Sequence, residues 1–177
     1  MNDITEMQKN LKKWKNYEDE YDETKYKDNI LGIVDILGFS QFVQNQKFNA
    51  PKKIIEIIRN SILMNEFALP ENIKYKILSD TFIVYSHIIT VNNVYKIICA
   101  LENFRIELLE NGFLCRGALV KNKNYINNDI IVSEALIDAH IIESSIAKYP
   151  RIIVDKSIIN IIKTQMDSGD ILNVTVN

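Results

Sequence analysis

The sequence is poor in the residues that most often carry metal or covalent chemistry, with two cysteines, two histidines and one tryptophan. Cys99 and Cys115 lie in apolar segments, with neither metal-ligand spacing nor a disulfide-framework pattern. That excludes a zinc-stapled or disulfide-stapled fold and gives the expectation of reduced thiols in a cytoplasmic protein. His87 and His140 have no partner at ligand spacing and read as a strand-end residue and an exposed helix residue. Three prolines and five glycines are too few for linkers or low-complexity tracts. No hydrophobic run is long enough to span a bilayer, and the first residues lack the apolar core of a secretion signal. Neither charge dominates: 21 Lys and Arg against 23 Asp and Glu leave a net charge of −2. No electrostatic case exists for nucleic acid or a membrane surface as partner, and neither is expected. Lys9, Lys12, Lys13 and Lys15 form one small basic group, read as a solvated helix face.

What is present is a chain of 177 residues, 47% hydrophobic, enough for one well-formed core. Residues 1–29 are polar, with Trp14, Tyr17, Tyr21 and Tyr26 among the charges, and read as an N-terminal helix or arm. Leu11, Trp14 and Tyr17 or Tyr21 give it a narrow helical stripe. Residues 30–177 read as one domain. It opens with Ile30-Leu31-Gly32-Ile33-Val34, an apolar run of strand length expected at the centre of a sheet covered on both faces. Gly38 breaks the run, and Ser40 is placed to cap the helix that follows. Pro51 starts a further helix carrying Ile54, Ile55, Ile58, Ile62 and Leu63, which ends before Pro70.

Tyr75–Leu78 and Phe82–His87 read as strands joined by a tight Ser79-Asp80 turn. Val94, Ile97, Ile98, Leu101, Phe104 and Leu108 mark the clearest amphipathic helix, stopped by Gly112. A strand over Phe113–Val120, a polar hairpin over Lys121–Asn128 and a strand over Ile130–Val132 follow. A helix over Glu134–Ala147, a strand over Ile152–Val154 and a helix capped by Ser157 complete the order, with a polar tail after Gly169. The expected architecture is an α+β sandwich, a mainly antiparallel sheet with helices packed over it.

Two aspartates interrupt this apolar pattern. Asp35 ends the first strand, and Asp80 sits in the next hairpin. A buried carboxylate is costly unless a cation, a charge partner or several hydrogen bonds compensate it. If the first strand neighbours the hairpin, both carboxylates reach one sheet edge and suit a hard cation such as magnesium. The bland alternative is that Asp35 caps its turn without any metal. Other polar residues have bland readings too. Arg116 has Glu110 as a candidate surface partner, Glu143 and Arg151 make a candidate structural ion pair, and Lys76 reads as a solvent-facing strand lysine.

In this order the motifs resemble the class III adenylate/guanylate cyclase catalytic domain, over residues 30 to 155. Asp35-Ile36-Leu37-Gly38-Phe39-Ser40 is similar to that family's metal-binding turn, and Ser79-Asp80-Thr81-Phe82 to its second aspartate hairpin. Arg116-Gly117 and the segment from Ala135 to Arg151 look like those of a divergent bacterial branch. Some such branches, pyrimidine cyclases among them, make cyclic-nucleotide signals in phage defence. The resemblance implies a ferredoxin-like palm and two Mg²⁺ (or Mn²⁺) ions held by Asp35, Asp80 and the Ile36 carbonyl. It implies a nucleoside triphosphate as substrate, a cyclic mononucleotide and pyrophosphate as products, and a homodimer. The amides of Leu37, Gly38, Phe39 and Ser40 would cradle phosphates, Arg116 would belong to the catalytic set, and Lys76 lies near where the family selects its base. The family's dimer-interface asparagine and arginine fall at Ile137 and Ile141, and a usual glycine at Asn122. That departure implies an alternative, a catalytically degenerate nucleotide-binding or dimerisation module. A palm that makes oligonucleotides is a third reading, without the Gly-Gly-Asp-Asp or Gly-Gly-Asp-Glu-Phe hairpin such enzymes carry.

Overall fold

β1 (Lys27–Ile36) contains the apolar run and lies in the middle of the sheet, with Ile30, Leu31, Ile33, Val34 and Ile36 all buried. A computed structural model describes residues 26–46, 49–63, 69–127 and 130–167. After β1 come α1 (Phe39–Gln46), α2 (Ala50–Leu63), β2 (Ile73–Leu78), β3 (Thr81–Ser86) and α3 (Val91–Glu110). Next are β4 (Cys115–Ile126), β5 (Ile131–Ser133), α4 (Glu134–Ser145), β6 (Ile152–Val154) and α5 (Lys156–Asp167). This is the expected α+β order. The stripe of Leu11, Trp14, Tyr17 and Tyr21, the Lys9–Lys15 group and the tail after Gly169 lie outside the described residues.

The sheet runs β2-β3-β1-β4-β5, all antiparallel, and β6 joins β4 in parallel. Alternation along β1 divides the core between the two faces. Ile30, Val34 and Ile36 meet Ile97, Leu101, Phe104 and Leu108 of α3, together with Ile57 of α2 and Ile158 of α5. Leu31 and Ile33 turn the other way, to Ile83, Ala118, Val120 and the α4 alanines Ala135 and Ala139. A strand covered on both faces cannot alternate apolar with polar, which is why β1 reads as a continuous run.

Local hydrogen bonds fix the two helices that matter most. The Thr90 hydroxyl accepts from the Asn93 amide at 3.2 Å and starts α3. The Ser133 hydroxyl accepts from the Leu136 amide at 2.8 Å and starts α4. That cap sets the phase of α4, so Ala135, Ala139 and Glu143 face the sheet and Ile137 and Ile141 face solvent.

Three local expectations are corrected. β4 continues through Lys121–Ile126, where composition suggests a polar hairpin, because β1 extends back to Lys27 and pairs with it as far as Asn124, and β5 pairs with the rest. The polar side chains there are used within the fold: Lys121 pairs with Asp28, and Asn122 Nδ2 donates to Asp138 at 2.7 Å. Ser40 is not a cap, since α1 begins one residue before it. α5 is capped by Asp155, whose carboxylate accepts from the Ser157 amide at 2.8 Å. Ser157 itself lies inside α5, and its hydroxyl accepts from the Lys121 amide at 3.0 Å.

Candidate active site

Backbone pairing, not side-chain contact, brings the two aspartates together. Asp35 is in register with Thr81 of β3 on one side and Arg116 of β4 on the other. The Ile36 amide then donates to the Asp80 carbonyl at 3.1 Å, seating the β2–β3 turn on the end of β1. Ser79 takes φ 57° in that two-residue turn, a left-handed conformation that costs a non-glycine residue energy.

Beyond Ile36 the chain turns sharply. The Leu37 amide donates to the Leu114 carbonyl at 2.8 Å, so that amide is spent inside the protein. Gly38 takes φ +76°, and an added Cβ there would meet nothing within 4 Å. Its glycine is required by backbone conformation, and the space in front of it is open. Phe39 and Ser40 open α1, and the Phe42 amide donates to the Gly38 carbonyl at 3.1 Å.

Arg116 does not pair with Glu110, and Glu143 does not pair with Arg151. Arg116 Nη2 lies 2.8 Å from Glu143 Oε1, and Glu143 is only 2% exposed. The Arg151 guanidinium donates instead to the Ile146 carbonyl at 2.8 Å. His140 Nδ1 stands 3.6 Å from Glu143 Oε2 on the solvent side. Lys76 lies on the same face of the sheet as Asp35 and donates to the Asn127 backbone carbonyl. Glu143 carried a signal that was open to reading: it continues the Ala135, Ala139 stripe at four-residue spacing, and a residue on that stripe must face the sheet.

Electrostatics converge on Asp35. Burial pushes its carboxyl above the ordinary value, the Asp80 and Glu143 charges push the same way, and Arg116 and His140 pull it back. An excess of negative charge at a partly buried edge is what a cation relieves. Among the described residues, no group of three or more His, Cys, Asp or Glu side chains is arranged to hold a metal. Two carboxylates and a backbone carbonyl nevertheless suit magnesium, which takes one or two protein carboxylates and completes its shell with phosphates and water. Cys115, adjacent to Arg116, is no ligand candidate, since burial drives its thiol up to about 11.

The chain has the fold of class III nucleotidyl cyclase catalytic domains. Among solved structures it is similar to the catalytic core of a rhodopsin-guanylyl cyclase with converted specificity in complex with ATPalphaS. That likeness has a TM-score of 0.54 at 13% identity and covers 78% of this chain and 82% of that one. A class III adenylyl cyclase-like ATP-binding protein from Pseudomonas aeruginosa also matches, at TM-score 0.47 and 9% identity, over 76% of this chain and 34% of that one. No protein-family model and no curated protein sequence matches the chain. No helix among the described residues is long and apolar enough to cross a membrane.

Proposed function

We propose that the chain is a Mg²⁺- or Mn²⁺-dependent nucleotidyl cyclase that converts a nucleoside triphosphate to a cyclic mononucleotide and pyrophosphate. It works as a cytoplasmic homodimer, with residues 30–177 as the cyclase-like domain and residues 1–29 as an arm. The observation that carries the reading is the placing of Asp35 and Asp80 on one sheet edge by the Ile36–Asp80 hydrogen bond. In this reading both carboxylates and the Ile36 carbonyl hold the divalent cations. Bound cations would neutralise the triphosphate and acidify the ribose 3′-hydroxyl that attacks the α-phosphate.

The chain's own groups have separate tasks. The amides of Gly38, Phe39 and Ser40 stand at the start of α1, where unpaired N–H groups and the helix dipole favour phosphate. Leu37 shapes the turn, because its amide is already bonded to Leu114. Arg116, in register with Asp35, supplies positive charge for the transferring phosphoryl group. A product that signals in bacteria, including in antiviral defence, belongs to the same reading.

One observation favours a second reading. Ile137 is 61% exposed and Ile141 55% exposed on α4, where the family's pattern puts an asparagine and an arginine. Neither isoleucine can donate to a phosphate, so a nucleotide-binding module without turnover is the rival. Incubation with each of the four ribonucleoside triphosphates and Mg²⁺ or Mn²⁺, followed by product analysis, separates the two. Cyclic mononucleotide that disappears in Asp35→Ala and Asp80→Ala establishes the cyclase. Binding without turnover, by a folded protein, establishes the rival.

A further inference from the structure

Glu143 is a glutamate buried on the inner face of α4 whose nearest charge partner among the described residues, Arg116, is imperfectly satisfied. Its Oε1 lies 2.8 Å from Arg116 Nη2, yet neither Oε1 nor Arg116 Nε has an aligned hydrogen bond. The contact is an ion pair by proximity. A buried carboxylate held this way is expensive for stability, since desolvation competes with the attraction. Its position points to what it does. Arg116 stands directly across the β1–β4 ladder from Asp35, on the face that α4 covers. Two anions therefore compete for one guanidinium: Asp35 on the sheet, with Asp80 beside it, and Glu143 on the helix.

We propose that Glu143 is a positioning residue that holds the Arg116 guanidinium off Asp35, leaving the Asp35 carboxylate available to a divalent cation. The inference rests on the reading above in taking Asp35 as a cation ligand. A guanidinium closed onto Asp35 would occupy the oxygens a cation needs and would repel the cation by its own charge. The charges acting on Asp35 fit a guanidinium shared between two sites: Arg116 stabilises the carboxylate, and Glu143 opposes it. His140, largely exposed and 3.6 Å from Glu143 Oε2, is the other cationic group on this cluster. It stands on the solvent side of the pair and cannot replace Glu143 as an anchor for Arg116.

The test is Mn²⁺ binding measured by electron paramagnetic resonance on the full chain, without nucleotide and so without turnover. Glu143→Gln frees Arg116 and should weaken Mn²⁺ binding roughly tenfold or more, the loss typical when support for a metal ligand is removed. In Arg116→Gln/Glu143→Gln nothing remains to close onto Asp35, so Mn²⁺ affinity should return to the wild-type value while turnover stays lost. Wild-type affinity in Glu143→Gln would overturn the proposal, as would a double variant no better than the single. If Glu143→Gln does not fold, Glu143→Asp, which draws the carboxylate back from Arg116 by one methylene, takes its place, and wild-type Mn²⁺ affinity in it overturns the proposal. Wild-type protein that binds no Mn²⁺, or binds it equally in Asp35→Asn, sinks the cation reading itself and this inference with it.

Discussion

The Ile36 amide donates to the Asp80 carbonyl at 3.1 Å, and the neighbouring Asp35 stands in register with Thr81. The backbone therefore holds two carboxylates at one edge whatever their side chains do. Side-chain substitutions there should alter charge without dismantling the edge, and that separates the effects of stability and function.

Asp35→Asn should make the protein more stable at neutral pH without added metal. Burial, and then the Asp80 and Glu143 charges, raise the folded-state pKa of Asp35. Between the ordinary carboxylate value and the raised one, the folded state holds more protons than the unfolded state. Stability therefore falls as pH rises through that window, and the full penalty applies above it. An asparagine carries no such penalty. Thermal melts in EDTA from pH 4 to 8 should show the variant above wild type at neutral pH and the two converging in acid. A variant that melts below wild type at pH 7 contradicts this account. With Mg²⁺ and substrate the order reverses, and turnover should fall roughly a thousandfold or more as cation-borne charge stabilisation is lost.

Much of this is legible in the sequence. The continuous apolar run of Ile30–Val34 marks a central strand, and Asp35 and Asp80 stand out because a carboxylate set in apolar, strand-like sequence is costly to bury without compensation. What was hidden depended on three-dimensional pairing. Lys121–Ile126 looks like a loop because its asparagines and lysines are polar, but they bond to β1 and to α4. The partner of Arg116 lies 27 residues away on a helix, beyond what local spacing reveals. Asp155 and Ser157 are both cap-forming residue types, and only the phase of α5, which begins at Lys156, assigns the cap to Asp155.

Gly117→Ala should be far more damaging than Gly38→Ala. A Cβ at Gly117 would lie 2.2 Å from the Ile33 carbonyl oxygen, a backbone atom in the neighbouring strand that cannot move aside cheaply. The cost should reach about 3 kcal/mol or more, the upper end for overpacking. At Gly38 the space is open and only the left-handed φ of +76° is penalised. That cost should be about 1–2 kcal/mol. Urea unfolding measures both. Gly38→Ala should lower turnover by more than its stability loss accounts for, because its amide opens the turn ahead of α1.

Asp155→Ala should cost about 1 kcal/mol, the usual value of a helix cap, by removing the acceptor for the Ser157 amide. Burial raises the Asp155 carboxyl, but hydrogen bonds from Ser157 and the Lys156 amide, with the Lys156 charge, bring it below the ordinary value. A lowered folded-state pKa contributes stability above the ordinary carboxylate value and loses it as pH falls through the lowered one. The gap between wild type and Asp155→Ala should therefore narrow in acid. Asp155→Asn should recover most of the loss at neutral pH by keeping the acceptor. Chemical denaturation at pH 7 and pH 3 checks each step.

Ile137→Glu with Ile141→Glu should leave the fold intact and break the proposed dimer. Both isoleucines project from the outer face of α4, with Ala135 and Ala139 holding its inner face against the sheet. Exposed substitutions of this kind change protomer stability by only about 0.5 kcal/mol. On a surface that pairs with a second copy, the same changes place carboxylates in an apolar seam and oppose association. Sedimentation velocity over a range of concentrations should show a wild-type dimer and a variant monomer with the same melting temperature. If each site needs the second copy, wild-type turnover per protomer should fall on dilution and variant turnover should be low at every concentration. A wild-type protein that is monomeric and equally active throughout would place the whole reaction within one chain. The isoleucines at positions 137 and 141 would then have no part in it.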